Sequence, residues 1–263
     1  MRFPDANPRI LRALALALMA WLLAGSAAAE DPTVTIERVK ASIVAIGTFE
    51  RSRTPPFEFR GTAFVVGDGT LVVTNAHVLP GVLDTTRLES LAILLPSAER
   101  DKVQFREVKQ VAVDPGADLA VLKMSGAPLP AMQVRDSGNV KEGQLVLFTG
   151  FPIGAALGPF PATHRGMISA ISPIAIPQAR SAELDPKTIR RLTTGSFPIF
   201  QLDATAYPGN SGSPLYEPET GQVVGIINMV FVKGSRETAL TQPSGITYAI
   251  PVQPLRDLLQ KVQ

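Results

Sequence analysis

Residues 61–74 read GTAFVVGDGTLVVT, an apolar run, a Gly67-Asp68-Gly69 break and a second apolar run. Glycine takes the positive φ that a tight hairpin turn requires, and Val, Phe and Thr suit a pleated, half-buried surface. The stretch predicts two antiparallel strands, Gly61 to Val66 and Thr70 to Thr74. On either side the same pattern recurs at Ile43 to Thr48, Leu91 to Leu95, Val108 to Val113 and Leu119 to Met124. A second series follows at Leu145 to Phe148, Met167 to Ile171, Pro198 to Leu202, Val223 to Val232 and Ile246 to Ile250. The polar, glycine-containing stretch Arg135 to Gly143 separates the two series, so the chain is predicted to be all-β, with two similar units packed together. Leu255, Leu258 and Leu259 stand at i, i+3 and i+4, the spacing of one helix face, which predicts a short C-terminal helix. The longest irregular piece, Ser172 to Ser196, contains Asp185-Pro186, the cap and first turn of one short helix.

The first 29 residues are read as a signal peptide. Arg2, Arg9 and Arg12 precede an unbroken apolar run from Ala13 to Leu23, and Ala27-Ala28-Ala29 supplies the small residues of a cleavage site. That run is short of the roughly 20 residues a spanning helix needs, so no stable membrane anchor is expected after cleavage before Glu30. Removing 1–29 takes the formal net charge from +2 to zero. A balanced surface gives no electrostatic footprint for nucleic acid. The chain holds no Cys although an exported protein meets conditions that permit disulfides, so its stability must come from core burial. Periplasmic or secreted localisation is expected.

Three segments carry groups suited to chemistry. Tyr207-Pro208-Gly209-Asn210-Ser211-Gly212-Ser213 places a serine between glycines, where a tight bend exposes its hydroxyl and lets backbone N–H groups converge on a developing oxyanion. His77 in Val73-Thr74-Asn75-Ala76-His77 follows a strand, where it can face a cleft. Asp118 opens the strand after Asp114-Pro115-Gly116-Ala117, and a carboxylate there could orient His77. Asp114, ahead of a proline, reads as the turn residue. His164, the only other histidine, is assigned a structural or surface role. Two histidines leave little from which to build a metal site, so neither metal nor cofactor is expected.

The order His, Asp, Ser is that of chymotrypsin-type peptidases. GTAFVV, TNAHV, DLAVLK, HRGMISAI, QLDATAYPGNSGSPL, VVGIINMV and GITYAIPV together resemble the HtrA/Deg proteases from about Ile36 to Val252. The resemblance implies a chymotrypsin-like double β-barrel, with a first barrel over 36–134, a second over 135–252 and a helix over 253–263. It implies Ser211 as nucleophile, His77 as general base and Asp118 as orienting carboxylate, with an oxyanion site at the turn Gly209, Asn210, Ser211 whose N–H donors are those of Gly209 and Ser211. An apolar substrate pocket walled by Ile227, Asn228 and Tyr248 is expected to favour small or medium aliphatic residues before the cut.

Three departures from the family pattern stand out. Only Gln253 to Gln263 follow the strand after which relatives continue into PDZ domains, so no PDZ-dependent capture is expected within this chain. Ser213 occupies the place of a second glycine, as in glutamyl endopeptidases, but the strand Val224 to Met229 offers no His to bind an acidic side chain. The Ser172–Ser196 stretch exceeds the corresponding loop, for which a regulatory or specificity role is expected. The function expected from the residues and the resemblance is a serine endopeptidase acting on polypeptide substrates, the expected targets being unfolded or misfolded exported proteins. A glutamyl-endopeptidase-like enzyme and a catalytically latent binding or chaperone module remain alternatives. Both a monomer and a homotrimer fit the sequence.

Overall fold

The computed structural model describes residues 31–95, 104–136, 139–154, 158, 160–173, 198–228 and 245–262. The expected signal peptide, the helix at Asp185 and the end of the predicted strand beyond Asn228 fall outside these residues.

Among the described residues, twelve strands form two closed barrels. The first contains β1 (Ile43–Phe49), β2 (Phe57–Val66), β3 (Leu71–Asn75), β4 (Ser90–Leu95), β5 (Gln104–Asp114) and β6 (Leu119–Met124). The second contains β7 (Leu145–Gly150), β8 (Ala162–Pro173), β9 (Pro198–Asp203), β10 (Pro214–Tyr216), β11 (Val223–Asn228) and β12 (Ile246–Pro251). Going round the first barrel the order is β1-β2-β3-β6-β5-β4, and the second repeats it as β7-β8-β9-β12-β11-β10. The two units inferred from sequence therefore share one connectivity. Eleven of the twelve strands were anticipated; β10 escaped because three residues are too few to carry an alternation.

The two-residue period of a strand explains how one sequence serves two cores. In β1, Val44 and Ile46 point into the first barrel, with Ala63 and Val65 of β2 beside them. Their neighbours Ile43, Ala45, Phe64 and Val66 face outward and join Leu147, Tyr216, Val223 and Ile250 of the second barrel in a shared seam. Val146, Phe148, Ile168, Leu202 and Leu215 fill the second barrel.

The chain crosses between barrels in two parallel bridges, Val66 to Met132 and Val134 to Val223. The crossing thus falls between residues 132 and 134. Two helices lean on the seam. α1 (Pro32–Lys40), not read from the sequence, buries Val39 there and is capped by Asp31, whose Oδ1 accepts from Thr33 N (2.8 Å). The Asp31-Pro32 pair is the same cap signal that was read at Asp185-Pro186. α2 (Val252–Gln260) places Leu255 and Leu258 in the seam and packs against β5 and β6 as well as β11 and β12.

Candidate active site

The β3–β6 register brings the first two groups together. Asn75 pairs with Leu119 at the end of the ladder, so the residues just beyond, Ala76 and Asp118, must meet. Ala76 N–H and the Asn75 side-chain amide both donate to the Asp118 carbonyl, each at 3.1 Å. The chain then enters a single 3₁₀ turn, Ala76–Val78, which carries His77. Asp118 has φ 55°, a left-handed conformation that aspartate tolerates better than most residues. In this pose its Oδ1 accepts the His77 backbone N–H (2.9 Å) and its Oδ2 lies 2.6 Å from His77 Nδ1. Asp118 is buried, whereas about a third of the His77 side chain remains exposed. Asp114 makes the turn expected of it, its Oδ1 accepting from Ala117 N (3.0 Å).

Ser211 arrives from the second barrel, on the turn between β9 and β10. Its Oγ stands 3.1 Å from His77 Nε2. Backbone bonds shape the turn: Asn210 N–H donates to Tyr207 O (2.9 Å), Ser213 N–H to Asn210 O (3.0 Å) and Gly212 N–H to Ile227 O (3.0 Å). Among the described residues the N–H groups of Gly209 and Ser211 meet no protein acceptor, so both are free to serve an oxyanion. The N–H of Asn210, included in the expected oxyanion turn, is instead spent on Tyr207.

Thr62, which sequence reasoning passed over, ties the turn to the first barrel. Its N–H donates to Ser211 O (2.9 Å), its hydroxyl donates to Gly209 O (2.7 Å), and its carbonyl accepts from the Thr74 hydroxyl (2.8 Å). Phe151 N–H in turn donates to Thr62 Oγ1 (3.0 Å). The only signal was a threonine in an otherwise apolar run. Gly212 is required at the same contact: its φ is 87°, and a Cβ would lie 2.1 Å from Thr62 O. Gly212→Ala is therefore expected to destabilise the protein by roughly 2–4 kcal/mol, read as a lowered Tm. Ser213 fits at this position because Gly150 stands opposite; a Cβ on Gly150 would come 2.0 Å from Ser213 Oγ.

The expected pocket walls are placed differently. Ile227 is wholly buried in the core of the second barrel with Phe148, Leu215 and Ala206, because its side chain points inward on β11. Asn228 is also fully buried, and its amide donates to Asp118 Oδ2 (2.7 Å) across the two barrels. It braces the carboxylate rather than walling a pocket. Tyr248, its partner in β12, is half-buried. His164 lies on β8, stacked on Phe148 with ring centroids 4.8 Å apart.

A serine hydroxyl, imidazole and carboxylate in series, beside two unused N–H groups, is the apparatus of acyl transfer. The Trypsin-like peptidase domain family matches residues 61–226, more than half of the sequence. The chain belongs to the trypsin-like peptidase family. Within that family its similarity runs to HtrA/Deg-type proteases. It is 28% identical over 203 residues to a "Probable periplasmic serine endoprotease DegP-like" of Pseudomonas putida (strain ATCC 700007 / DSM 6899 / JCM 31910 / BCRC 17059 / LMG 24140 / F1), covering 77% of this chain and 35% of that one. A protein of the same description from Marinomonas sp. (strain MWYL1) is 30% identical over 192 residues, covering 73% and 33%. This trypsin-like chain thus spans about a third of the length of these curated relatives. Among solved structures, "HtrA-type protease AlgW with tripeptide" aligns with a TM-score of 0.59 at 24% identity, covering 88% of this chain and 63% of that one. "Crystal structure of Deg5" aligns at 0.59 and 24% identity, covering 86% and 90%. The fold is that of the chymotrypsin-like double barrel.

Proposed function

We propose that the protein is a serine endopeptidase that hydrolyses peptide bonds of exported polypeptides through an acyl-enzyme. The observation that carries this reading is the run of contacts from Asp118 Oδ2 through both nitrogens of His77 to Ser211 Oγ, at 2.6 and 3.1 Å. Ser211 Oγ attacks the scissile carbonyl while His77 Nε2 takes its proton, and the same nitrogen then returns a proton to the leaving amine. Asp118 holds the ring with Nδ1 protonated and stabilises the imidazolium. The N–H groups of Gly209 and Ser211 receive the oxyanion.

Unfolded or misfolded proteins outside the cytoplasm are the proposed substrates. The names of the periplasmic relatives and the apolar leader read over residues 1–29 support that compartment. No helix among the described residues is long and apolar enough to cross a membrane. Incubation with unfolded casein and with a fluorophosphonate probe tests the reading. Cleavage and labelling that both vanish in Ser211→Ala are expected; an unlabelled, inert wild type under all conditions would overturn it.

Asn228 acts here as a positioning residue. Removing its amide leaves a buried carboxylate oxygen short of one donor and the carboxylate freer to turn. Asn228→Ala is expected to lower kcat on the order of tenfold with KM little changed. An equal rise in KM with kcat intact would assign Asn228 to substrate binding instead.

A further inference from the structure

His164 is a second histidine that the mechanism leaves unused, and its surroundings give it work. Its imidazole lies flat on Phe148, at an interplanar angle of 11°, and 6.3 Å from the ring of Tyr207. Phe148 belongs to the interior of the second barrel together with Ala204 and Ala206, so His164 stands at the barrel mouth beneath the segment leading into the nucleophile turn. That segment rests directly on β8: a Cβ on Gly166 would meet the Cβ of Ala204 at 2.8 Å. Tyr207 is itself part of the turn, since its carbonyl accepts the Asn210 N–H.

Within this setting His164 Nε2 is buried and has no hydrogen-bond partner. Leaving such a nitrogen unsatisfied is costly, and an apolar side chain of the same shape would avoid the cost. Burial also holds the imidazole below its ordinary pKa, so it meets a ligand as a neutral ring with one N–H and one lone pair. A substrate whose carbonyl reaches Ser211 Oγ and the Gly209 and Ser211 N–H groups carries its preceding side chain one bond away. That side chain would run alongside the 205–209 segment, whose Tyr207 ring lies 6.3 Å from the His164 ring.

We propose that His164 is a specificity-determining residue, which selects substrates with an uncharged, hydrogen-bonding side chain, above all the carboxamide of glutamine, before the scissile bond. This inference rests on the endopeptidase reading and replaces the aliphatic preference expected from sequence, whose walls Ile227 and Asn228 are occupied elsewhere. A carboxylate is a poorer match, because it would have to shed water against a neutral ring. An aliphatic side chain leaves the nitrogen as it is.

The test is a peptide series identical except for Gln, Leu or Glu before the cut, assayed with the wild type and with His164→Phe, which keeps the ring stack and removes the nitrogens. Glutamine is expected to be the best of the three, and the Gln-to-Leu ratio of kcat/KM is expected to fall about tenfold in the variant while Ser211 still takes the fluorophosphonate. A ratio indifferent to His164, or a wild type that prefers Leu or Glu, overturns the inference and leaves the peptidase reading standing. A wild type that neither cleaves nor labels overturns both. A readout that needs no change at His164 comes from imidazole ¹⁵N spectra of Ser211→Ala, simple to assign with two histidines in the chain. Adding a product peptide ending in Gln should shift the His164 Nε2 resonance, whereas one ending in Leu should not; identical spectra with both would also sink the idea.

Discussion

Ser211→Ala is expected to lower kcat/KM on unfolded casein by roughly 10⁶-fold, judged by what nucleophile removal costs other triads. The loss should be chemical rather than structural. No hydrogen bond that shapes the turn uses Oγ: Ser211 enters through its carbonyl, which accepts from Thr62 N, and Gly212 anchors to Ile227. An alanine at 211 therefore keeps the fold, and the Tm should move little. Ser213, two residues on, cannot stand in, because its hydroxyl is buried against Gly150, away from solvent and substrate. The free N–H groups of Gly209 and Ser211 survive, so a small residual acceleration from substrate binding and oxyanion stabilisation should remain. A variant retaining more than about a tenth of wild-type activity would place the nucleophile elsewhere.

Asp118→Asn should be the next most damaging change, at about 10⁴-fold in kcat, the scale associated with the wrong imidazole tautomer. The structure makes this substitution unusually clean. Asparagine matches aspartate in size and also tolerates the left-handed backbone at 118. The carboxylate, however, accepts from three donors at once: His77 N–H, His77 Nδ1 and the Asn228 amide. An asparagine offers one acceptor oxygen and one donor NH₂, so some donor must face another donor. With the NH₂ toward the ring, Nδ1 becomes the acceptor, the proton moves to Nε2, and the nitrogen facing Ser211 can no longer take its proton. With the NH₂ toward the backbone, the His77 N–H loses its partner and the 3₁₀ turn that aims the ring is released. Steady-state kinetics beside a thermal melt will separate chemistry from stability; a loss below tenfold would mean that Asp118 merely packs.

These two residues and His77 were legible because their neighbours are local. A strand end, a turn and glycines flanking a serine are written within a few positions of each residue, and the strand periods that place them are strong. Asn228 and Thr62 were not legible in the same way, since each acts across the seam on a group more than a hundred positions distant. An asparagine ending an apolar strand reads as readily as a pocket wall. Ile227 was misplaced for a related reason: in a strand with every residue buried, the alternation that tells inward from outward disappears. β10 was too short for any period, and α1 carried its signal in a cap instead of in hydrophobic spacing.

His77 and Asp118 belong to one barrel and Ser211 to the other, and a single apolar seam that includes Leu255 and Leu258 of the last helix holds the halves in register. Neither half owns a working centre. In the proposed endopeptidase, any excursion that parts them, whether by heat or by local melting, would separate Ser211 from His77 and so switch cleavage off.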